Sequence, residues 1–369
     1  MRIVLMEPYY GGSHQAWADG YAAASVHDVT LITHPARFWK WRMHGSFLTL
    51  ADELEDDIAR NGVPDVILAS SMMNVASFAG AIRHMAPGVP IAVYFHESQF
   101  SYPLSPADRP DATYQMKNWS SAAIADLVIF NSEYHRSTFR EKARRFLNDF
   151  PEYKHVEKVD EVIDASIVLP VGIDIVGLEP TRSKPTNPPM ILWNQRWEHD
   201  KGPEELKAIV SGLIDSDVDF TMAMCGEVFV SVPSTYAEIT ELLGDRLIHS
   251  GWADRDRYVQ LLNDATVVLS TAQQEFFGIG ITEAVAAGAH PVFPNRLVYP
   301  ERLANFGADP KVSLYDSTDD AVRLIIDRPH GAAVPEMAEK ARLFSWGEIA
   351  PRYDEVLGAA ASRSGRIAR

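Results

Sequence analysis

One cysteine in 369 residues cannot close an internal disulfide, which excludes a small secreted scaffold stapled by cystines. Cys225 ends the apolar run from Phe220, where a buried strand residue is the expected role. Long hydrophobic stretches are also missing: none reaches the roughly 20 residues that span a bilayer. The start of the chain lacks a signal-peptide layout, so a cytoplasmic protein with no membrane association is expected. Basic charge is scarce. The net charge of −16 argues against broad, nonspecific nucleic-acid binding, while screening in salt leaves room for a local basic patch. A composition 46% hydrophobic and 23% charged belongs to a folded chain, and its length favours two domains.

What is present is a regular alternation. Arg2–Met6, Val29–Ile32, Val66–Ala69, Ile91–Phe95, Leu127–Phe130 and Ile167–Leu169 read as strands, with helical spacing in Ser13–Ala24 and Phe47–Ala59. The Pro-, Thr- and Ser-rich stretch 177–189 reads as a linker. Beyond it the alternation restarts with strands at Met190–Trp193, Phe220–Met224, Leu247–Ser250, Thr266–Leu269 and Pro291–Phe293. Helices fit at Pro203–Ile214, Arg255–Asn263 and Ile279–Ala287. This order predicts an α/β chain of two doubly wound, Rossmann-like domains, 1–176 and 190–345, facing one another across a cleft. Ligands in such sheets bind beyond the carboxyl ends of the strands.

The chemistry-bearing motifs fall at those ends. Ser270–Pro291 follows a strand, carries Gly278 and Gly280, and opens a helix at Ile279 whose N–H groups suit a phosphate. Glu275 and Glu283 are spaced to reach opposite ends of one nucleotide sugar, Glu275 at the sugar and Glu283 at the ribose. Taken alone, the same pattern also fits an amphipathic helix with solvated glutamates. Upstream, Ile191–Glu204 places Arg196 and Lys201 in a loop where two cations can neutralise a leaving diphosphate without a metal. Gly11-Gly12-Ser13-His14 forms a turn after the first strand. It is not the G-x-G-x-x-G pattern and no acid ends the second strand, so a dehydrogenase is not expected. Asp254-Arg255-Asp256 sits at a helix start, where capping explains it better than metal binding.

These motifs resemble those of the retaining GT-B glycosyltransferases that use two glutamates and two cations. YYGGSH, PARFWKWRMHGS, YFHESQFSYP, IFNSEYHRSTF, NQRWEHDKGPE, TAQQEFFGIGITEA and LVYPE are more closely similar to the tRNA-queuosine alpha-mannosyltransferases, over nearly the whole chain. The resemblance implies a GT-B fold, GDP-mannose as donor, and queuosine at the wobble position of a tRNA as acceptor. It also implies retention of configuration and no metal or other cofactor. Ser98, Phe38 and His44 depart from the family's usual residues, all on the acceptor side. The implied catalytic set is His96, near the anomeric carbon, with Arg196, Lys201 and Glu275. Donor contacts are expected from Gly11, Gly12, Gly251, Phe276, Phe277, Gly278, Ile279 and Glu283.

For the acceptor, the candidates are His14, Glu97, Gln99 and the run Arg37, Trp39, Lys40, Trp41 and Arg42, which interleaves cations with aromatics. Such a run can hold unpaired bases by stacking and phosphates by charge, or can be an aromatic satellite core with snorkelling cations. Arg136–Lys158, with interspersed acids, reads as a solvated helix. The last segment, 346–369, is expected to cross back to the first domain with Trp346 as a core anchor. The competing functions are a retaining glycosyltransferase acting on a small metabolite, lipid or glycan, a noncatalytic RNA-binding relative, and a sugar-nucleotide epimerase.

Overall fold

The computed structural model describes residues 1–101, 111–180, 188–228, 233–327 and 335–367. Residues 181–187 of the expected linker, and Tyr102 and Pro103 of the motif YFHESQFSYP, lie outside this range. The chain divides into two compact units, Met1–Gly172 with Trp346–Arg369, and Ile173–Ser345.

The sheet of the first unit contains β1 (Arg2–Tyr10), β2 (Asp28–Pro35), β3 (Val66–Ser70), β4 (Ile91–Phe95), β5 (Leu127–Phe130) and β6 (Ile167–Val168). Their order is β2-β1-β3-β4-β5-β6 and every pairing is parallel. The helices are α1 (Gly12–Ala24), α2 (Trp39–Asn61), α3 (Val75–Ile82), α4 (Ala112–Ile124), α5 (Glu133–Asn148) and α6 (Val156–Ala165). Ile3 to Met6, Val66 to Ala69 and Val93 to Phe95 are fully buried. A parallel strand covered on both faces needs a continuous apolar run, and that is why these runs marked the strands.

Three elements differ from the expectation. β1 continues past Met6 because Glu7 and Tyr10 still pair with Thr33 and Pro35 across an irregular register. α2 begins at Trp39, eight residues before the expected Phe47, and the buried stripe starts at Met43. Trp39–Arg42 is therefore its first turn, behind Phe38 in the left-handed region with no capping side chain. The stretch 136–158 belongs to two helices instead of one. Arg140 and Arg144 of α5 pair with Asp164 and Asp160 of α6, so acids on the next helix answer these cations.

The second unit repeats the plan. In chain order it holds β7 (Met190–Trp193), α7 (Pro203–Asp215), β8 (Thr221–Cys225), α8 (Ser234–Leu243), β9 (Leu247–Gly251) and α9 (Arg255–Asp264). It continues with β10 (Val267–Leu269), α10 (Ile279–Ala286), β11 (His290–Pro294), α11 (Tyr299–Phe306), β12 (Leu314–Tyr315), α12 (Thr318–Asp327) and α13 (Pro335–Arg342). The parallel sheet runs β12-β11-β10-β7-β8-β9. β12 was not expected. Its two apolar residues lie between Ser313 and Asp316 and form no run.

α14 (Trp346–Ile367) then completes the first unit. The Trp346 indole fills the space left by two glycines: a Cβ would fall 1.9 Å from it at Gly20 and 2.2 Å at Gly172. Tyr353 accepts the Trp17 indole N–H at 3.3 Å and donates to the Pro170 carbonyl at 3.0 Å. Asp354 accepts from Tyr21 at 2.8 Å and Ser25 at 2.6 Å. Gly20→Ala should accordingly destabilise the protein by about 1–3 kcal/mol through overpacking. Urea denaturation checks this, with Gly80→Ala as the contrast. At Gly80, inside α3, a Cβ would meet nothing within 4 Å, so that variant should unfold no more easily than the parent.

Candidate active site

In the second unit the loops leaving β7 and β10 are tied together at the carboxyl end of the sheet. Thr271 takes the Trp193 indole N–H at 3.1 Å and donates to the Lys201 carbonyl at 2.6 Å. Gly202, at φ 66, makes the approach feasible, since a Cβ there would lie 2.2 Å from the Thr271 carbonyl oxygen. Gly226 does the same on the other side, where a Cβ would lie 1.9 Å from the Gln195 oxygen. Gln195 in turn donates to Ser270 at 2.6 Å, and Ser270 shares a hydrogen bond with Tyr299 of the LVYPE motif at 2.5 Å.

This frame fixes Lys201. Its buried ammonium donates to the Gln274 carbonyl at 2.9 Å and lies 3.2 Å from Asp200 and 3.6 Å from Glu275. The other oxygen of Glu275 accepts from the backbone N–H groups of Phe276, Phe277 and Gly278 at 3.1, 3.3 and 3.0 Å. Glu275 thus anchors the loop before α10 and partners Lys201, a role its spacing did not reveal. Arg196 is more exposed and lies 3.2 Å from Glu198.

The glycines sort by cause. Gly278, at φ 83, provides the left-handed turn into α10. Gly280 instead permits close packing, because a Cβ would lie 2.9 Å from the Asn194 amide, which donates to the Gly280 carbonyl at 2.8 Å. Gly251 ends β9 at φ 94, its carbonyl accepting from Gly226 at 2.9 Å. The side chains of Phe276 and Phe277 are buried, unlike that of Ile279, which opens α10 half-buried. The Phe277 ring packs on Phe344 and stands 4.6 Å from the Arg302 guanidinium.

Glu283 is buried on α10, and burial pushes its carboxyl up to about 7, against the pull of Arg255 and of the Tyr258 hydroxyl. Tyr258 donates to it at 3.0 Å and Arg255 approaches to 3.4 Å. The Asn194 amide donates to Tyr258 at 3.0 Å. Asn194, Arg255 and Tyr258 were not singled out from the sequence. Asn194 opened the motif NQRWEHDKGPE, and Arg255 sat beside Asp254, which caps α9 as expected by accepting from Arg257 at 2.8 Å.

The first unit brings Glu7, His96 and Glu97 together around His14, and Glu7 is a residue that no sequence motif marked as functional. His14 lies 2.9 Å from Glu7 through Nδ1 and 3.3 Å from Glu97 through Nε2. The His14 and His96 rings are 4.2 Å apart, and Trp17 stands edge-on to His96 at 4.6 Å. Burial, then the charges of His14 and His135, hold His96 well below the ordinary histidine range, so its ring is neutral. Its carbonyl accepts from Asn131 at 2.8 Å, while its buried Nε2 meets no partner among the described residues. Glu7, His14 and His96 could each offer a ligand atom to a metal, all within 4.8 Å. Hydrogen bonds already account for both nitrogens of His14. Gln99 is held through its backbone N–H by Asn118 at 2.8 Å. Gly11 packs its bare Cα against Ala36, and Gly12 starts α1 at φ 54.

The remaining candidates are split by the start of α2. Arg37 is exposed and Arg42 half-buried, while Trp39 lies 5.2 Å from Tyr114 with the Lys40 ammonium 5.5 Å from its ring. Phe38 and Trp41 are 79% and 66% exposed, too open for a satellite core. Trp41 lies along its own helix over Gly45, where a Cβ would come within 2.9 Å of the indole. On α4, Lys117 reaches His44 at 2.7 Å. Lys117, which no motif announced, faces His44 of the motif PARFWKWRMHGS, and burial followed by Lys117 lowers the His44 pKa.

Two units, each built on a parallel six-stranded sheet with its helices, make up a two-domain GT-B glycosyltransferase. Residues 179–327 match the description "Glycosyl transferases group 1". Among solved structures, sucrose-phosphate synthase from Thermosynechococcus elongatus superposes with a TM-score of 0.73 at 16% identity, covering 98% of this chain and 100% of its own. Trehalose-6-phosphate synthase OtsA gives 0.69 at 12%, over 97% and 99%. Residues 2–173 match "tRNA-queuosine alpha-mannosyltransferase N-terminal". The tRNA-queuosine alpha-mannosyltransferase of Drosophila melanogaster is 30% identical over 374 residues, 96% of each chain. The chain belongs to the tRNA-queuosine alpha-mannosyltransferase family. Among the described residues, no helix is long and apolar enough to cross a membrane.

Proposed function

We propose that this chain moves mannose from GDP-mannose onto queuosine in the anticodon loop of a tRNA, retaining configuration and using no metal, in the cytoplasm. The observation that carries the donor half is the buried Lys201, fixed 3.6 Å from Glu275 on one locked pair of loops. A preorganised ammonium can stabilise the charge that gathers on a leaving diphosphate as the glycosidic bond breaks. The name borne by the Drosophila relative supports the acceptor half. So does the α2 surface, where exposed Trp41 and Phe38 lie among Arg37, Lys40 and Arg42. Stacking on such rings contributes about 1–3 kcal/mol per base.

The test is incubation with queuosine-containing tRNA and a panel of labelled sugar nucleotides, followed by nucleoside mass analysis. Labelled mannosyl-queuosine is expected. Transfer to small molecules alone would remove the RNA reading and leave a generic glycosyltransferase. Replacing Lys40 and Arg42 by Ala should weaken tRNA binding and lower its salt slope by about 0.7–0.9 for each phosphate no longer neutralised, with GDP affinity unchanged.

Glu283 gives a further expectation. As a carboxylate it accepts from both ribose hydroxyls, so GDP affinity should rise as pH climbs through about 7, and Glu283→Gln should flatten the profile. The unliganded fold should trend the other way. A carboxyl raised in the native state stabilises the fold at low pH, and that contribution fades as pH rises through the folded value. Calorimetry with GDP at pH 6 and 8 checks the first; a GDP affinity independent of pH would overturn it.

A further inference from the structure

We propose that Glu7 holds His14 as an imidazolium between two carboxylates, and that this buried cation aims Glu97 at a hydroxyl of the acceptor. The proposal rests on the glycosyl-transfer reading for the last step only. The protonation state follows from the hydrogen bonds. Both ring nitrogens of His14 face carboxylate oxygens, at 2.9 Å on Glu7 and 3.3 Å on Glu97. An ionised carboxylate only accepts, and a neutral imidazole has one N–H and one lone pair. A neutral ring would turn that lone pair on one of the acids. With both acids ionised, only the protonated ring satisfies both.

The fold supplies each part of the arrangement. Glu7 near the end of β1 is fully buried, and its other oxygen takes the Tyr9 N–H at 2.8 Å. The turn through Gly11 and Gly12 brings His14, in the first turn of α1, back over it. Glu97 enters from beyond β4. Side-chain exposure rises along the relay from 0% at Glu7 through 7% at His14 to 24% at Glu97, so the outer carboxylate is the member that a ligand can touch. The groups facing His14 are Glu7 and Tyr9 from β1, and His96 and Glu97 from beyond β4. Although burial opposes its charge, Glu7 and then Glu97 raise the His14 pKa to about 10. The three side chains together keep one negative charge, which a hydroxyl donor can meet. Breaking a buried pair strands a charge, so Glu7 is indispensable to the geometry without touching the ligand.

The decisive variant is Glu7→Gln, studied in the full chain. Its His14 loses the nearer acid and should shed its proton within the neutral range. The acceptor KM should then rise ten-fold or more between pH 6 and 8.5, while the wild-type KM stays flat and the donor KM is little changed. Glu7→Asp should restore a flat profile. The KM is read on whichever hydroxyl acceptor the wild type glycosylates, which separates this proposal from the identity of the substrate. Imidazole NMR supplies a readout apart from activity: wild-type His14 should still carry its proton at pH 8. Glu97→Gln, at the exposed end, covers the case in which Glu7→Gln fails to fold. It should raise the acceptor KM with His14 still protonated by Glu7. A wild-type His14 that titrates near 6.5, or an equal KM increase at every pH in Glu7→Gln, would overturn the proposal.

Discussion

Lys201→Ala is expected to lower kcat roughly 10²- to 10³-fold, the scale of about 3–4 kcal/mol seen when one preorganised electrostatic interaction is removed. The effect should persist at saturating donor, because the role proposed for the ammonium is to act on charge that grows as the bond breaks. The substitution also leaves Asp200, 1% exposed, without its cation, so thermal stability has to be measured alongside. Arg196→Ala should cost less, since its guanidinium is 43% exposed and better screened. EDTA should leave the wild-type rate intact, whereas strict dependence on magnesium or manganese would sink the metal-free mechanism.

Glu275 and Glu283 should fail in different ways. Glu275→Ala removes an acceptor shared by three backbone N–H groups and the partner of Lys201, so the loop before α10 loses its anchor. A fall in kcat on the order of 10²-fold is expected. Glu275→Gln keeps an oxygen for those N–H groups but not the charge, and should lose turnover with smaller structural change. Glu283→Gln should chiefly weaken the nucleotide, whose ribose contacts are the same in ground and transition states. Steady-state kinetics on the two glutamine variants decide the matter: identical profiles would contradict the division of labour.

Most of the fold was legible where burial writes itself into composition. Ile91–Phe95 and Leu127–Phe130 were bounded to the residue, because strands covered on both faces need unbroken apolar runs. Leu314–Tyr315 was not, since its two apolar residues stand between Ser313 and Asp316, whereas Ile167–Val168 continues into Leu169. The start of α2 was missed for another reason: Phe38 offers no cap, and the exposed rings of Phe38 and Trp41 mimic a buried run. In the site, charge types and glycine positions were legible, but partners were not. Nothing in the spacing of Glu275 says that it caps its own loop. Glu7 read as the tail of a strand, because its meaning depends on His14 and on Glu97, which the fold alone brings near it.

The docking of α14 on Gly20 and Gly172 also bears on the order in which the protein is made. The second unit is one uninterrupted stretch, whereas the first is interrupted and lacks its Trp346 plug until the ribosome has passed residue 345. At about 5–20 residues per second, translation of that intervening stretch takes roughly 9 to 35 s. For that interval Trp17, Gly20 and Tyr21 of α1, and Gly172 beyond β6, lack the helix that covers them. The first unit therefore completes its packing only after the whole of the second has been made.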